Sequence, residues 1–397
     1  MNTLELKESA LAELHSILAY WEKNTVDHQY GGFVGQIDFT ETVHPSAQKG
    51  AVLNARILWS FSAAFNLTGR ENYLKLADRA FEYLKLYFID NIYGGVYWTV
   101  DQHGQPAETK KQVYAQAFAL YAFSEYFKAT QKEEARQIAK EMFALMERYS
   151  FDAKEDGYLE AFTREWTLIG DLRLSDKDAN EKKTMNTHLH ILEAYSNLYM
   201  IWPDEGLRSK IHALLNIFQY RILDQSNWHL GLFFDEHWVR KDDHISYGHD
   251  IEASWLMQEA AEVAGDSLLK ERFEEVAVCI ANASLEGMDK DGGMWYEYLQ
   301  QEKILIREKH WWPQAEAVVG FINAWQNSGQ IKYYDAAIGC WQFISRYIKD
   351  KQNGEWYWGV KEDYSTMQED KAGLWKCPYH NSRACMELIR RLTPIGH

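Results

Sequence analysis

The sequence predicts an all-α fold, an (α/α)6 barrel of twelve helices, and three observations predict it. A glycine ahead of a short aromatic or β-branched run recurs six times. The segments between these markers hold helices in pairs, and one helix of a pair is nearly uncharged while the other is amphipathic. The markers read Tyr30-Gly31-Gly32-Phe33, Tyr93-Gly94-Gly95-Val96-Tyr97-Trp98, Asp156-Gly157-Tyr158, Leu230-Gly231-Leu232-Phe233-Phe234, Asp291-Gly292-Gly293-Met294-Trp295-Tyr296 and Asn353-Gly354-Glu355-Trp356-Tyr357-Trp358. From Gly32 through Gly95, Gly157, Gly231 and Gly293 to Gly354, the steps are 63, 62, 74, 62 and 61 residues. Such a period denotes a repeated unit that buries its apolar face only against its neighbours. Glycine permits a tight bend and the residues after it favour a short strand, so each marker is expected to be a hairpin.

One helix, over residues 4–21, precedes the first marker. Residues 51–65 (AVLNARILWSFSAAF) then carry no charge except Arg56, which shares a stripe with Val52, Trp59 and Ala63. Over 71–89 the charges Lys75, Asp78, Arg79, Glu82 and Lys85 recur opposite Leu74, Ala77, Phe81 and Leu84. The same contrast sets residues 113–124 and 314–325, both apolar, against 132–149 and 267–285, both amphipathic. A helix that is apolar all round is buried, and one with a charged face borders water. With two helices in each interval and one over 379–392, the inner and outer rings alternate and the last helix pairs with the first. The expected unit is one catalytic domain spanning residues 1–397, with the hairpins clustered at one mouth. The longer third interval holds the polar run 170–183 (GDLRLSDKDANEKK). It is expected to be a solvated loop, with an active-site lid as the alternative.

A formal charge of −16 argues against nucleic acid, which demands clustered Lys and Arg. No apolar run approaches the roughly 18 residues that span a bilayer. The amino terminus, MNTLELKESALAELHSIL, has the charges of an amphipathic helix rather than of a signal peptide. Cys279, Cys340, Cys377 and Cys385 lack close CxxC pairing, which suits free thiols in a reducing compartment. A cytoplasmic monomer acting on a small molecule is the expectation, with no membrane partner.

Each inner helix starts just after a hairpin, so the six inner amino termini face one mouth, where their dipoles favour developing negative charge. Arg56 there is either a structural cation paired with a buried carboxylate or a ligand for substrate oxygens. Tyr114 lies in the first turn of its helix. Asn186, His190 and Glu193 share one helical face. His188 points roughly opposite to His190, a poor arrangement for a metal. His249 and Glu252 stand at i and i+3, close enough for the carboxylate to raise the basicity of the imidazole. His380 follows Pro378 and sits near Trp375; Trp312-Pro313 repeats that arrangement, with Glu316 one turn on and expected to bind substrate. The two tryptophans are either core or stacking platforms for sugar rings. No dinucleotide or phosphate-loop motif, zincin motif or cysteine cluster is present, so no cofactor and no metal are expected. Two histidines near neutrality suit removal of a proton from carbon and its return from the other face. That chemistry belongs to a cofactor-independent epimerase or isomerase acting beside a carbonyl.

The segments KGAVLNARILWSFS, KTMNTHLHILEAY, SYGHDIEASWL, HWWPQAEA and WKCPYHNSRACMELI closely resemble the N-acylglucosamine 2-epimerase superfamily and, within it, the cellobiose 2-epimerase family. The resemblance runs from about residue 10 to the end of the chain. It implies the (α/α)6 fold and epimerisation at C2 of the reducing-end glucose of β-1,4-linked disaccharides, cellobiose to glucosylmannose and lactose to epilactose. It further implies that His249 and His380 are the two acid/base groups, with Glu252 tuning His249. His190 would assist ring opening, and Arg56 would stabilise the enediolate. Tyr114 and Asn186 would surround the reacting sugar, and Trp312 and Trp375 would stack on sugar rings. The alternatives are a mannose 2-epimerase or aldose–ketose isomerase of the same superfamily, a glycoside hydrolase using Glu252 and Glu316, and a non-catalytic glycan-binding protein.

Overall fold

A computed structural model describes residues 1–393. The chain alternates outer and inner helices, beginning with outer α1 (Thr3–Asn24) and inner α2 (Ala51–Thr68), then α3 (Glu71–Tyr83) and α4 (Val113–Thr130). The pattern continues through α5 (Glu133–Tyr149), α6 (Met185–Ile201), α7 (Glu205–Ile217), α8 (Tyr247–Ala264), α9 (Ser267–Ser284), α10 (Trp311–Ser328), α11 (Ile331–Phe343) and α12 (Tyr379–Arg391). Each even-numbered helix packs on the next, and α12 returns to α2, which closes the inner ring. The odd-numbered helices back them, and α1 lies against α12, so the first and last helices meet. The twelve helices among the described residues are the (α/α)6 barrel the repeats predicted.

Local chemistry sets the helix ends. Asn2 and Glu5 form a capping box at the start of α1. Gly69, Gly265 and Gly329 stop α2, α8 and α10 in the left-handed conformation at φ 67°, 72° and 68°. The inner helices run a turn or so beyond the apolar stretches that predicted them. The helix expected over 71–89 is α-helical to Tyr83 and finishes in a π-helical turn, Leu84–Phe88.

The markers are hairpins. Val26 bridges Phe33, Ile89 bridges Val96, Phe151 bridges Tyr158, Met288 bridges Met294 and Lys349 bridges Trp356, while Leu223–Asp224 pairs with His229–Leu230. Gly32, Gly95, Gly157 and Gly354 hold positive φ, as the tight bend requires. A Cβ on Gly157 would lie 2.5 Å from the Trp238 ring and 2.8 Å from His188 Nε2. In the fourth hairpin Trp228 takes the left-handed position instead, at φ 65°.

A second set of antiparallel links stitches each repeat to the next. The residues just before an inner helix pair with the strand after the following hairpin: Lys49–Gly50 with Thr99–Val100, Lys111–Gln112 with Ala161–Phe162 and Lys183–Thr184 with Phe233–Phe234. His244–Ser246 pairs with Glu297–Leu299 and Lys309–His310 with Gly359–Val360, and an Ile37–Ala372 bridge closes the circle. This ring holds the amino termini of the inner helices at one mouth. Buried lysines pin it to the hairpins, since Lys49, Lys111, Lys183 and Lys371 pair with Asp27, Asp90, Asp152 and Asp350 at 2.7, 3.0, 2.9 and 2.8 Å. Lys309 pairs with both Asp289 and Asp291. Removing one partner of such a pair would strand a buried charge, at a cost of about 3–5 kcal/mol, so the pairs enforce register.

The 170–183 segment is a loop, as expected, but part of it is packed down. Leu172 is buried, and Gln112 Nε2 donates to the carbonyls of Leu172 and Arg173 at 3.3 and 2.7 Å. All four cysteines are free; Cys340, Cys377 and Cys385 are buried. Among the described residues no helix is long and apolar enough to cross a membrane.

Candidate active site

Second and sixth residues of a helix share a face, and in the inner helices that face turns toward the barrel bore. The second position supplies Tyr114, Asn186, Trp312 and His380; the sixth supplies Arg56, Phe118, His190, Glu252 and Glu316. The fourth position turns back to the hairpins. Gln116 accepts from the Val96 N–H at 2.7 Å and donates to its carbonyl, and Gln314 does the same with Met294. His188 occupies the equivalent place in α6. Its Nδ1–H donates to the Thr184 carbonyl at 2.7 Å, and its Nε2 accepts from the Tyr158 N–H at 2.9 Å. Burial holds its pKa at about 4, so it is a neutral structural group facing away from His190.

Arg56, 3% exposed, lacks the buried carboxylate partner that a structural cation was expected to have. Its guanidinium lies 4.1 Å from the Phe118 ring centre and 4.8 Å from that of Tyr379. Nη2 donates to the Tyr114 hydroxyl at 2.7 Å, Nη1 meets Cys377 Sγ at 3.7 Å, and Nε has no hydrogen-bond partner. No carboxylate pairs with it among the described residues. Aromatic faces hold the cation without neutralising it. Asn186 Oδ1, also at the mouth, is buried with no partner.

The histidines are supported differently from one another. His190 Nδ1 is 3.0 Å from Glu193 Oε2, and its ring contacts Tyr114 and Phe118. His380 Nδ1 is 2.7 Å from Glu316 Oε1, and burial followed by the charges of Arg56 and Arg383 holds its pKa well below the usual histidine value. His249 Nδ1 engages Ser246 Oγ at 2.8 Å, and burial with a contribution from His190 holds it at about 3. The His249 ring lies 4.6 Å from the Trp312 ring and the His380 ring 5.7 Å from it, so one indole backs both. Trp375 packs on Trp98 and Tyr114 at 5.9 and 6.0 Å. Trp312 lies within the first turn of α10, whereas Trp375 precedes α12 in a loop.

Two expectations are corrected here. Glu252 does not tune His249. Its Oε1 accepts from Arg383 Nη2 at 2.5 Å and lies 3.9 Å from His380 Nδ1, because the buried guanidinium draws the carboxylate toward α12. Nor is Glu316 free to bind substrate. Its Oε1 accepts from Arg383 Nη2 at 2.7 Å as well as from His380, and its Oε2 accepts from Trp255 Nε1 at 3.2 Å.

Sequence reasoning missed Arg383, although a lone cation at i+3 from His380 in the mostly apolar run RACMELI was a signal. It is 2% exposed, and its Nη1 donates to Glu193 Oε1 at 2.5 Å and to the Tyr379 hydroxyl. Tyr379 in turn donates to Glu193 at 2.6 Å. Burial would push Glu193 up, but Arg383 overrides it and holds the carboxyl at about 2. Glu252, pressed by burial and by the charge of Glu316, rises to about 7.

Glu252, Glu316 and His380 bring ligand-type atoms within 4.8 Å of one another. Arg383 Nη2 bonds to the same two carboxylate oxygens, so a guanidinium already supplies the positive charge a metal would bring. The two carboxylates converge on that nitrogen instead of flanking a glycosidic bond, which is not the geometry of a glycoside hydrolase. The arrangement as a whole is a bare cation and two neutral imidazoles around an indole, fitted to moving a proton on and off a carbon beside a developing oxyanion.

The family model for N-acylglucosamine 2-epimerase (GlcNAc 2-epimerase) matches residues 31–384. A cellobiose 2-epimerase of Bacteroides fragilis is 49% identical over 386 residues, covering 97% of this chain and 98% of that protein. One of Dictyoglomus turgidum is 38% identical, covering 99% and 100%. The solved structure of a cellobiose 2-epimerase from Bacillus thermoamylovorans superimposes with a TM-score of 0.93 at 39% identity, over 98% of this chain and all of that one.

Proposed function

The chain belongs to the N-acylglucosamine 2-epimerase family, and from that premise we propose that it epimerises the reducing-end glucose of β-1,4-linked disaccharides at C2, converting cellobiose to glucosylmannose and lactose to epilactose. One observation carries the mechanism: the unpaired Arg56 guanidinium at a mouth lined by three histidines.

The sugar ring opens with help from His190, exposing the C1 aldehyde and acidifying the C2 proton. His249 or His380 removes that proton, depending on which epimer enters. Both are neutral, as a base must be. The anion forming on the sugar supplies the opposite charge that makes the new imidazolium favourable. Arg56 and the inner-helix amino termini stabilise the cis-enediolate. Rotation about C2–C3 then presents the other face to the second histidine, which returns a proton. Glu316 accepts from His380 Nδ1–H and leaves Nε2 with its lone pair for the substrate. Tyr114, Asn186, Trp312 and Trp375 hold the sugar.

No step calls for a metal or nucleotide. The whole chain, residues 1–397, acts as one catalytic domain and as a monomer. The net charge of −16 disfavours nucleic acid, and the buried free thiols suit a reducing cytoplasm. Incubation of the pure protein with cellobiose, alongside free glucose and mannose, tests this assignment. Glucosylmannose is the expected product. Free glucose would indicate hydrolysis, turnover of the monosaccharides alone would indicate the shorter substrate, and unchanged sugar would leave only binding.

A further inference from the structure

We propose that Arg383 is a positioning residue that orients His190 and His380 together, one prong of its guanidinium serving each histidine through a glutamate. Nη1 donates to Glu193, which accepts from His190 Nδ1; Nη2 donates to Glu316, which accepts from His380 Nδ1. Both imidazoles are thereby fixed in the tautomer that leaves Nε2 free. The ring-opening and proton-transfer groups, on α6 and α12, share one rigid fork. Tyr379 bonds to both Glu193 oxygens, and Trp255 stacks under the guanidinium at 4.8 Å, so the fork cannot turn. This inference rests on the proposed roles of the two histidines.

A planar fork is the feature that matters. Lysine would bring the charge and three donors, but all from one point, whereas Glu193 and Glu316 are met by two separate nitrogens of the planar guanidinium. The charge has its own effect. Around Arg383 lie Glu193 from α6, Glu252 from α8, Glu316 from α10, and Tyr379 and His380 from α12. Beyond them, Arg56, His190 and His249 face His380. Three carboxylates meet one cation, and Glu252 and Glu316 share one of its nitrogens. Without that cation, the net negative field would favour protonation of His380, and a protonated His380 cannot act as a base.

Wild-type protein is first shown to epimerise cellobiose with exchange at C2; if it does not, the proposed function itself fails. Arg383→Lys and Arg383→Met are then compared with it across pH. The expected result is a kcat lower by about 10²-fold in both, from misplaced imidazoles. In Arg383→Met the acid limb of the kcat profile should also move up by about one pH unit or more. A residue that merely holds the fold would lower the melting temperature and leave the limb of the folded enzyme in place, and that outcome overturns the proposal. If the Arg383 variants are insoluble, Glu193→Gln, Glu316→Gln and their double variant replace them. Coupling through the shared fork makes the double loss smaller than the product of the single losses. Losses that simply multiply would separate the two histidines and refute it.

Discussion

Arg56 Nη2 donates to the Tyr114 hydroxyl at 2.7 Å, and among the described residues that neutral oxygen is the closest partner of a guanidinium that meets no carboxylate. In the proposed mechanism its unused hydrogen-bonding capacity, including the unpartnered Nε, meets the charge that appears during the reaction. Arg56→Lys retains a cation but loses the planar fork and the fit between Phe118 and Tyr379. We expect kcat to fall by about 10²–10³-fold with the far-ultraviolet spectrum unchanged. Near-normal turnover would make Arg56 structural.

The two-base mechanism makes a labelling prediction. Product formed in deuterium oxide should carry deuterium at C2. His249→Asn and His380→Asn should each lose about 10²–10⁴-fold or more in epimerisation while melting near the wild-type temperature. If one variant kept substantial activity, a single histidine would be doing both transfers. Product without deuterium would require C2-deuterated substrate to reveal whether a shielded proton returns internally.

His188 yields a stability prediction from internal symmetry. Its folded pKa of about 4 lies below the unfolded value of 6.5. The unfolded chain therefore binds more protons in that window, so stability is complete above about pH 6.5 and falls as pH drops toward 4. The shift corresponds to about 3 kcal/mol. Gln116 and Gln314 make the same hairpin contacts without titrating. His188→Gln should therefore keep neutral-pH stability and flatten the acid decline, as read by urea unfolding between pH 4 and 7. A loss at pH 7 equal to that of His188→Ala would mean glutamine cannot stand in.

Activity should survive exhaustive chelation and dialysis, because Arg383 already brings positive charge to the Glu252 and Glu316 oxygens. Inactivation by EDTA, reversed by a divalent ion, would place a metal in the cycle.

The barrel was legible because its signal is periodic: six glycine markers and alternating apolar and amphipathic helices survive the absence of any three-dimensional information. The bore-facing residues were legible for the same reason, since inner-helix starts could be located and helical phase gives the face. What eluded the sequence was pairing across the bore. Glu252 lies three residues from His249 and was assigned to it, yet its partner is Arg383, on α12 and 131 residues away. Local spacing cannot report a contact made by closing a ring. The buried lysines were equally opaque, because Lys49 and Lys111 look like surface residues until their aspartates are seen beneath them.

Closure of the ring by α12 also bears on how the enzyme comes into being. Eleven helices and the residues of all six inter-repeat links precede the last inner helix in the chain. Without α12, Glu193, Glu252 and Glu316 would lack the counter-cation Arg383, and α1 and α2 would lack the helix that both pack against to close the ring. The segment from Ala372 through α12 brings the bridge to Ile37, His380 and Arg383 into the barrel together. The wall and the chemistry therefore part at one boundary, for eleven of the twelve helices lie before α12 while His380 and Arg383 lie on it.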